Sequence, residues 1–104
     1  MAFERDGPHI VYLTNSSGSY HGRQFATPGV EPRVTSSLGV VFVAFRDFRH
    51  HPFVAIHRAG AWSGRDLTPG AGGQLVLAVT ATGGRGTVLA ASFASHRLYA
   101  VADL

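Results

Sequence analysis

The stretch GSYHGRQFATPG, residues 18–29, is answered by GAWSGRDLTPG, residues 60–70. Both read glycine, a small residue, an aromatic, any residue, Gly-Arg, any residue, an apolar residue and, within two positions, Thr-Pro-Gly. The agreement continues upstream, where HIVYLTNSSG (9–18) leads into the first copy and HPFVAIHRAG (51–60) into the second. Allowing one deletion, Ile10, Val11 and Leu13 fall on Phe53, Val54 and Ile56. A third beginning, HRLYAVA (96–102), sets Leu98, Tyr99 and Val101 on the same positions. His9, His51 and His96 then open equivalent strands, at spacings of 42 and 45. VFVAFRDF (41–48) resembles GTVLAASF (86–93) at the same offset of 45. Three sections sharing one period define an internal repeat, and a period in this range with strand-rich units points to propeller blades.

Thirteen glycines and five prolines punctuate the chain, and the runs between them are rich in Val, Ile, Phe, Tyr and Thr. Short strands at that spacing build sandwiches, barrels or propellers. The pattern predicts nine strands, at about 9–14, 19–27, 31–36, 39–46, 52–58, 61–68, 73–81, 86–94 and 97–102. GVVFVAF and QLVLAVT are apolar on both faces, as expected of strands packed between neighbouring sheets. The expected fold is therefore all-β, a single domain over 1–104 with tandem blade-like repeats at about 8–48 and 51–93 and a partial copy at 96–104. Nine strands make about two four-stranded blades and one strand over, too few for a ring of four or more blades. Two exposed apolar faces seek partners, so the ring is expected to close by homo-oligomerisation, with a trimer of six blades preferred. Residues 8–27 would supply the outer two strands of a blade and 73–94 the inner two, joined between chains. The strands at 9–14 and 97–102 would then compete for one place. A single β-sandwich or barrel is the alternative.

Only 14% of the residues are charged, against roughly 25% in ordinary domains, so a partner surface is a natural cover. All nine basic residues are arginine and are scattered along the chain, which does not make the concentrated patch that nucleic acid requires. No apolar run reaches the ~20 residues of a membrane-spanning helix. The opening MAFERDGPH has no signal-peptide core, which makes a cytoplasmic or truncated chain the default expectation. With no cysteine, disulfides and thiolate zinc sites are excluded.

In YLTNSSGSY (12–20) and AIHRAGAW (55–62) a strand runs into a small polar turn, a glycine and an aromatic. Here the chain resembles the bacterial β-propeller repeats of sialidase-like and tandem-blade lectin proteins, over about residues 7–102. The resemblance implies a propeller fold and, from the lectin members, carbohydrate binding. The Asp-box of sialidases, Ser-x-Asp-x-Gly-x-x-Trp, is absent, since no aspartate precedes Gly18 or Gly60 at that spacing.

Tyr20 and Trp62, the aromatics of the repeat, either wedge neighbouring blades, as large buried aromatics do, or offer a stacking platform for a sugar ring or base. Arg23 and Arg65, at equivalent positions, either hydrogen-bond a ligand or form ion pairs with Asp66 or Glu31. The densest chemistry is FRDFRHHPF (45–53), in a loop of the kind where binding residues collect. Arg46, Asp47 and Arg49 would grip hydroxyls or a carboxylate with Phe48 stacking, or else Asp47 caps a turn and the rest is solvated. His50, His51 and His57 make a poor metal site, because neighbouring residues on a strand point to opposite faces. No metal or other cofactor is expected.

The six acids (Glu4, Asp6, Glu31, Asp47, Asp66, Asp103) are dispersed, whereas glycoside hydrolysis needs two carboxyls about one bond. No Gly-x-Ser-x-Gly elbow occurs, and TGGRGT (82–87) lacks the Lys-Ser/Thr end of a phosphate loop. The expected function is a non-catalytic, lectin-like module that binds glycans. The alternative is a structural piece of a larger propeller without a ligand of its own.

Overall fold

The computed structural model describes residues 2–5, 9–14, 21–25, 27, 29–47, 51–67, 74–92 and 97–104. The described residues are all-β, with no helix and ten strands. β1 (Ala2–Arg5), β2 (His9–Thr14) and β3 (His21–Gln24) form one antiparallel sheet in chain order. β4 (Gly29–Ser37), β5 (Val40–Asp47), β6 (Pro52–Arg58) and β7 (Ala61–Asp66) form a four-stranded sheet, again in chain order. β8 (Gln74–Thr82), β9 (Arg85–Ser92) and β10 (Arg97–Val101) form a third. Each of the nine strands expected from the sequence has a counterpart. β1 is the additional one, four residues too short to carry a period-2 signal.

β10 takes its place beside β9 in the third sheet, and β2 lies between β1 and β3. The strands expected to compete for one position therefore occupy two separate sheets. Within the chain, β8 and β9 build their sheet with β10.

The sheets stack on the four-stranded one, which is covered on both faces. Along β5 the side chains alternate. Phe42 and Ala44 enter one cluster with Val54, Ile56, Val76 and Val88, against the third sheet. Val43 and Phe45 enter the other with Ile10, Phe25 and Ala55, against the first sheet. These four residues of β5 are all fully buried, which is why their stretch has no polar position. Each buried large side chain contributes roughly 1.5–3 kcal/mol. The first strand of the central sheet, β4, runs against β1 and β2 on one side and β8 on the other.

The ladders make the repeat exact in register. Adding 42 to the pairs Ala2↔Tyr12, Phe3↔Val11 and Glu4↔Ile10 gives Ala44↔Val54, Phe45↔Phe53 and Arg46↔Pro52, all of which are paired. The same shift carries the bond from Phe25 N–H to the Ile10 carbonyl (2.9 Å) onto that from Leu67 N–H to the Pro52 carbonyl (2.8 Å). No deletion is needed, so the true equivalents of Ile10 and Val11 are Pro52 and Phe53, one residue from the sequence alignment. An offset of 45 relates the β4–β5 hairpin to the β8–β9 hairpin, with two-residue turns at 38–39 and 83–84.

Both turn residues have positive φ in each: 50° and 76° at Leu38 and Gly39, 59° and 76° at Gly83 and Gly84. Such turns match strand twist but favour glycine and asparagine. Leu38 occupies its position under strain and is 82% exposed.

Candidate functional site

Two cross-strand pairs meet where the first sheet faces the second. β2 and β3 set Tyr12 opposite Arg23, and β6 and β7 set His57 opposite Trp62. The Arg23 guanidinium carbon lies 5.9 Å from the centroid of the Trp62 ring, within the range of a cation–π contact. Tyr12 meets the same indole edge-on at 5.4 Å and His57 lies tilted at 5.0 Å. Phe25 closes on it at 4.9 Å. In front of this group opens a cleft of about 670 Å³ lined by Tyr12, Thr14, Arg23, Ser36, His57 and Trp62 among others. A smaller hollow of about 150 Å³ adjoins it, sharing Arg23 and Trp62 and reaching Phe25, Thr27 and Ser63.

The chemistry of the cleft is specific. Hydroxyls of Tyr12, Thr14 and Ser36 both donate and accept, Arg23 donates from a planar fork, and His57 does either through its ring nitrogens. Trp62 adds a flat apolar face. None of the lining residues described is a carboxylate. A few convergent polar groups around an aromatic wall are the usual make-up of a small-molecule site.

The repeat explains why the cleft lies at this interface and not the next. Adding 42 turns Tyr12 and Thr14 into Val54 and Ile56, which are buried in the core beside Leu104. Arg58 closes that region further, donating to the carbonyls of Leu104 at 2.7 Å and Gly84 at 3.0 Å. Arg65, the counterpart of Arg23, is exposed on β7 and lines neither hollow.

Of the residues singled out in the sequence, Arg23 and Trp62 come together in the cleft. Tyr20, Phe48 and Arg49 lie outside the described residues. Arg46 and Asp47 stand at the other end of the central sheet: Arg46 is five residues along β5 from the cleft residue Val41, roughly 17 Å at strand rise. Arg46 pairs with Glu31 at 3.4 Å. Asp47 is buried and its Oδ1 accepts the His51 backbone N–H at 3.0 Å. His51 Nδ1 lies 3.2 Å from Asp66 Oδ2. Glu31 and Asp66, named from sequence as partners for Arg23 or Arg65, are thus engaged by Arg46 and His51. His57 belongs to the cleft and not to this group, and His50 and His96 lie outside the described residues.

Sequence reasoning missed Tyr12, Thr14 and Ser36, and weighed His57 only as a metal ligand. The signal for the first two was present: polar residues stand where the next copy of the repeat has aliphatic core. Comparison of the chain with protein-family models, curated proteins and solved structures returned no match.

Proposed function

We propose that this chain is a non-catalytic, lectin-like module of the β-propeller type, with its glycan site in the Arg23–Trp62 cleft. The observation that carries the reading is the convergence of an indole face, a guanidinium and three hydroxyl side chains on one open cleft between stacked sheets. A sugar ring presents apolar C–H faces to stack on Trp62, and its hydroxyls match the mixed donors and acceptors around it. The three antiparallel sheets, stacked in chain order, support the propeller reading. Propeller rings hold about four to eight blades, so three sheets call for more. A second copy would supply them, stacking its first sheet on the third sheet of its neighbour in the head-to-tail manner that closes cyclic oligomers. With three sheets per chain, a six-sheet ring takes two chains, where the strand count from sequence asked for three.

One observation favours the purely structural alternative. Trp62 is held by Tyr12, Phe25 and His57, so it also works as a wedge between sheets. Glycan-array binding of the wild type, Arg23→Ala and Trp62→Ala separates the two readings. The lectin reading expects array signal that Arg23→Ala removes while its melting temperature stays within a few degrees. No array signal for a folded wild type would leave the wedge as the role of Trp62. Mass in solution tests the ring: twice the chain mass is expected, and a monomer at micromolar concentration contradicts closure by self-association.

A further inference from the structure

At the end of the central sheet remote from the cleft, Asp47, His51 and Asp66 each offer a ligand atom, and these atoms all lie within 4.8 Å of one another. The trio comes from three places in the fold: the end of β5, the residue before β6 and the end of β7. His51 Nδ1 and Asp66 Oδ2 are 3.2 Å apart. Two ligands about 2.1 Å from one ion are roughly 3.0–3.4 Å apart in octahedral or tetrahedral arrangement, so this pair already has the spacing of neighbouring ligands. Asp47 is held in place by the bond from the His51 backbone N–H. A carboxylate has two oxygens and about four acceptor positions, which lets each aspartate keep its hydrogen bonds while binding an ion.

The repeat supplies a second, independent observation. At the positions equivalent to Asp47, His51 and Asp66, the first sheet carries Arg5, His9 and Gln24. The third sheet carries Ser92 at the first; the counterpart of His51 in the sequence repeat, His96, lies outside the described residues. The positions of the two aspartates carry no carboxylate in the first sheet, and that of Asp47 carries none in the third, so strand pairing does not require those two acids; the histidine recurs as His9. Only the central sheet gathers two carboxylates and an imidazole.

We propose that Asp47, His51 and Asp66 form a binding site for a divalent transition-metal ion, with zinc the best fit. Mixed imidazole and carboxylate donors suit the borderline ions more than calcium or magnesium, which take all-oxygen shells. Two carboxylates and a neutral imidazole carry a charge that matches a divalent cation. The ion takes the Nδ1 lone pair in place of the His51–Asp66 hydrogen bond, the neutral imidazole carrying its one proton on Nε2, and water completes the shell. Bound there, it ties Asp47 at the end of β5 and His51 before β6 to Asp66 on the outer strand β7.

The test uses the full chain stripped with a chelator and titrated with zinc, manganese, calcium or magnesium chloride by calorimetry and thermal melting. One zinc per chain and a raised melting temperature are expected, with calcium and magnesium giving neither. Asp66→Asn and His51→Ala, each checked for an unchanged far-ultraviolet spectrum, should weaken zinc by at least about tenfold, the scale even for indirect ligand partners. Absence of zinc binding by the wild type overturns the proposal. So does zinc binding that both variants retain, because the ion would then sit on other histidines.

Discussion

Gly86→Ala tests the stacking of the third sheet on the second. A Cβ built on Gly86 would lie 2.7 Å from both Cδ1 and Cε1 of Phe42 and 3.0 Å from its Cγ. Ordinary carbon contacts begin near 3.4 Å, so the ring must retreat by about 0.7 Å. Phe42 is fully buried among Val54, Val88 and their neighbours, and a close-packed interior has no space to receive it. Overpacking of this kind costs about 1–3 kcal/mol, and the loss of chain entropy in the unfolded state returns about 0.4–1 kcal/mol. The expected net destabilisation is about 1–2 kcal/mol, or roughly 4–12 °C in melting temperature for a domain of this size. Urea melts followed by circular dichroism measure it. Phe42→Leu in the same chain should relieve part of the loss, giving a coupling of about 1 kcal/mol in a double-mutant cycle. A neutral or stabilising Gly86→Ala, or a coupling of zero, would refute the packing of β9 on β5.

Leu38→Asn removes an exposed apolar side chain from a turn with φ of 50° and should stabilise by about 1 kcal/mol, visible as a higher urea midpoint with unchanged slope. Arg46→Ala breaks a pair whose side chains are 21% and 43% exposed, so it should cost no more than about 1 kcal/mol, and less in high salt. Asp47→Ala should cost more, about 1–3 kcal/mol, because it leaves the part-buried His51 amide without this acceptor. Trp62→Ala should lower stability by about 3 kcal/mol, the low end for large aromatics, since the ring is only partly buried; Trp62→Phe should recover most of it.

How far the sequence carried these conclusions depends on the range of the interactions. The strands were legible because Gly and Pro stand at most of the turns between them and because the stretch 40–45 is apolar on both faces. The pairing of Arg23 with Trp62 was half legible, through the repeated Gly-Arg and aromatic positions. Tyr12 was lost to a slip of one residue: an offset of 43 puts it on Ala55, and on a strand one residue reverses the face. The true offset of 42 puts it on Val54, facing the neighbouring sheet. The number of sheets escaped because β1 is four residues long and resembles β5 only through Ala-Phe. Asp47 and Asp66 are nineteen positions apart, and only the β5–β6–β7 ladder brings them to His51. No local pattern encodes that meeting.

Trp62 is the only tryptophan in the chain, so its fluorescence reports on the cleft alone. Titration of the wild type and of Arg23→Ala with a panel of mono- and oligosaccharides at millimolar concentration tests the glycan site most directly. The account predicts a saturable change in tryptophan intensity or wavelength with at least one sugar, lost in Arg23→Ala. An emission spectrum unmoved by every sugar in a folded, correctly assembled sample would contradict it.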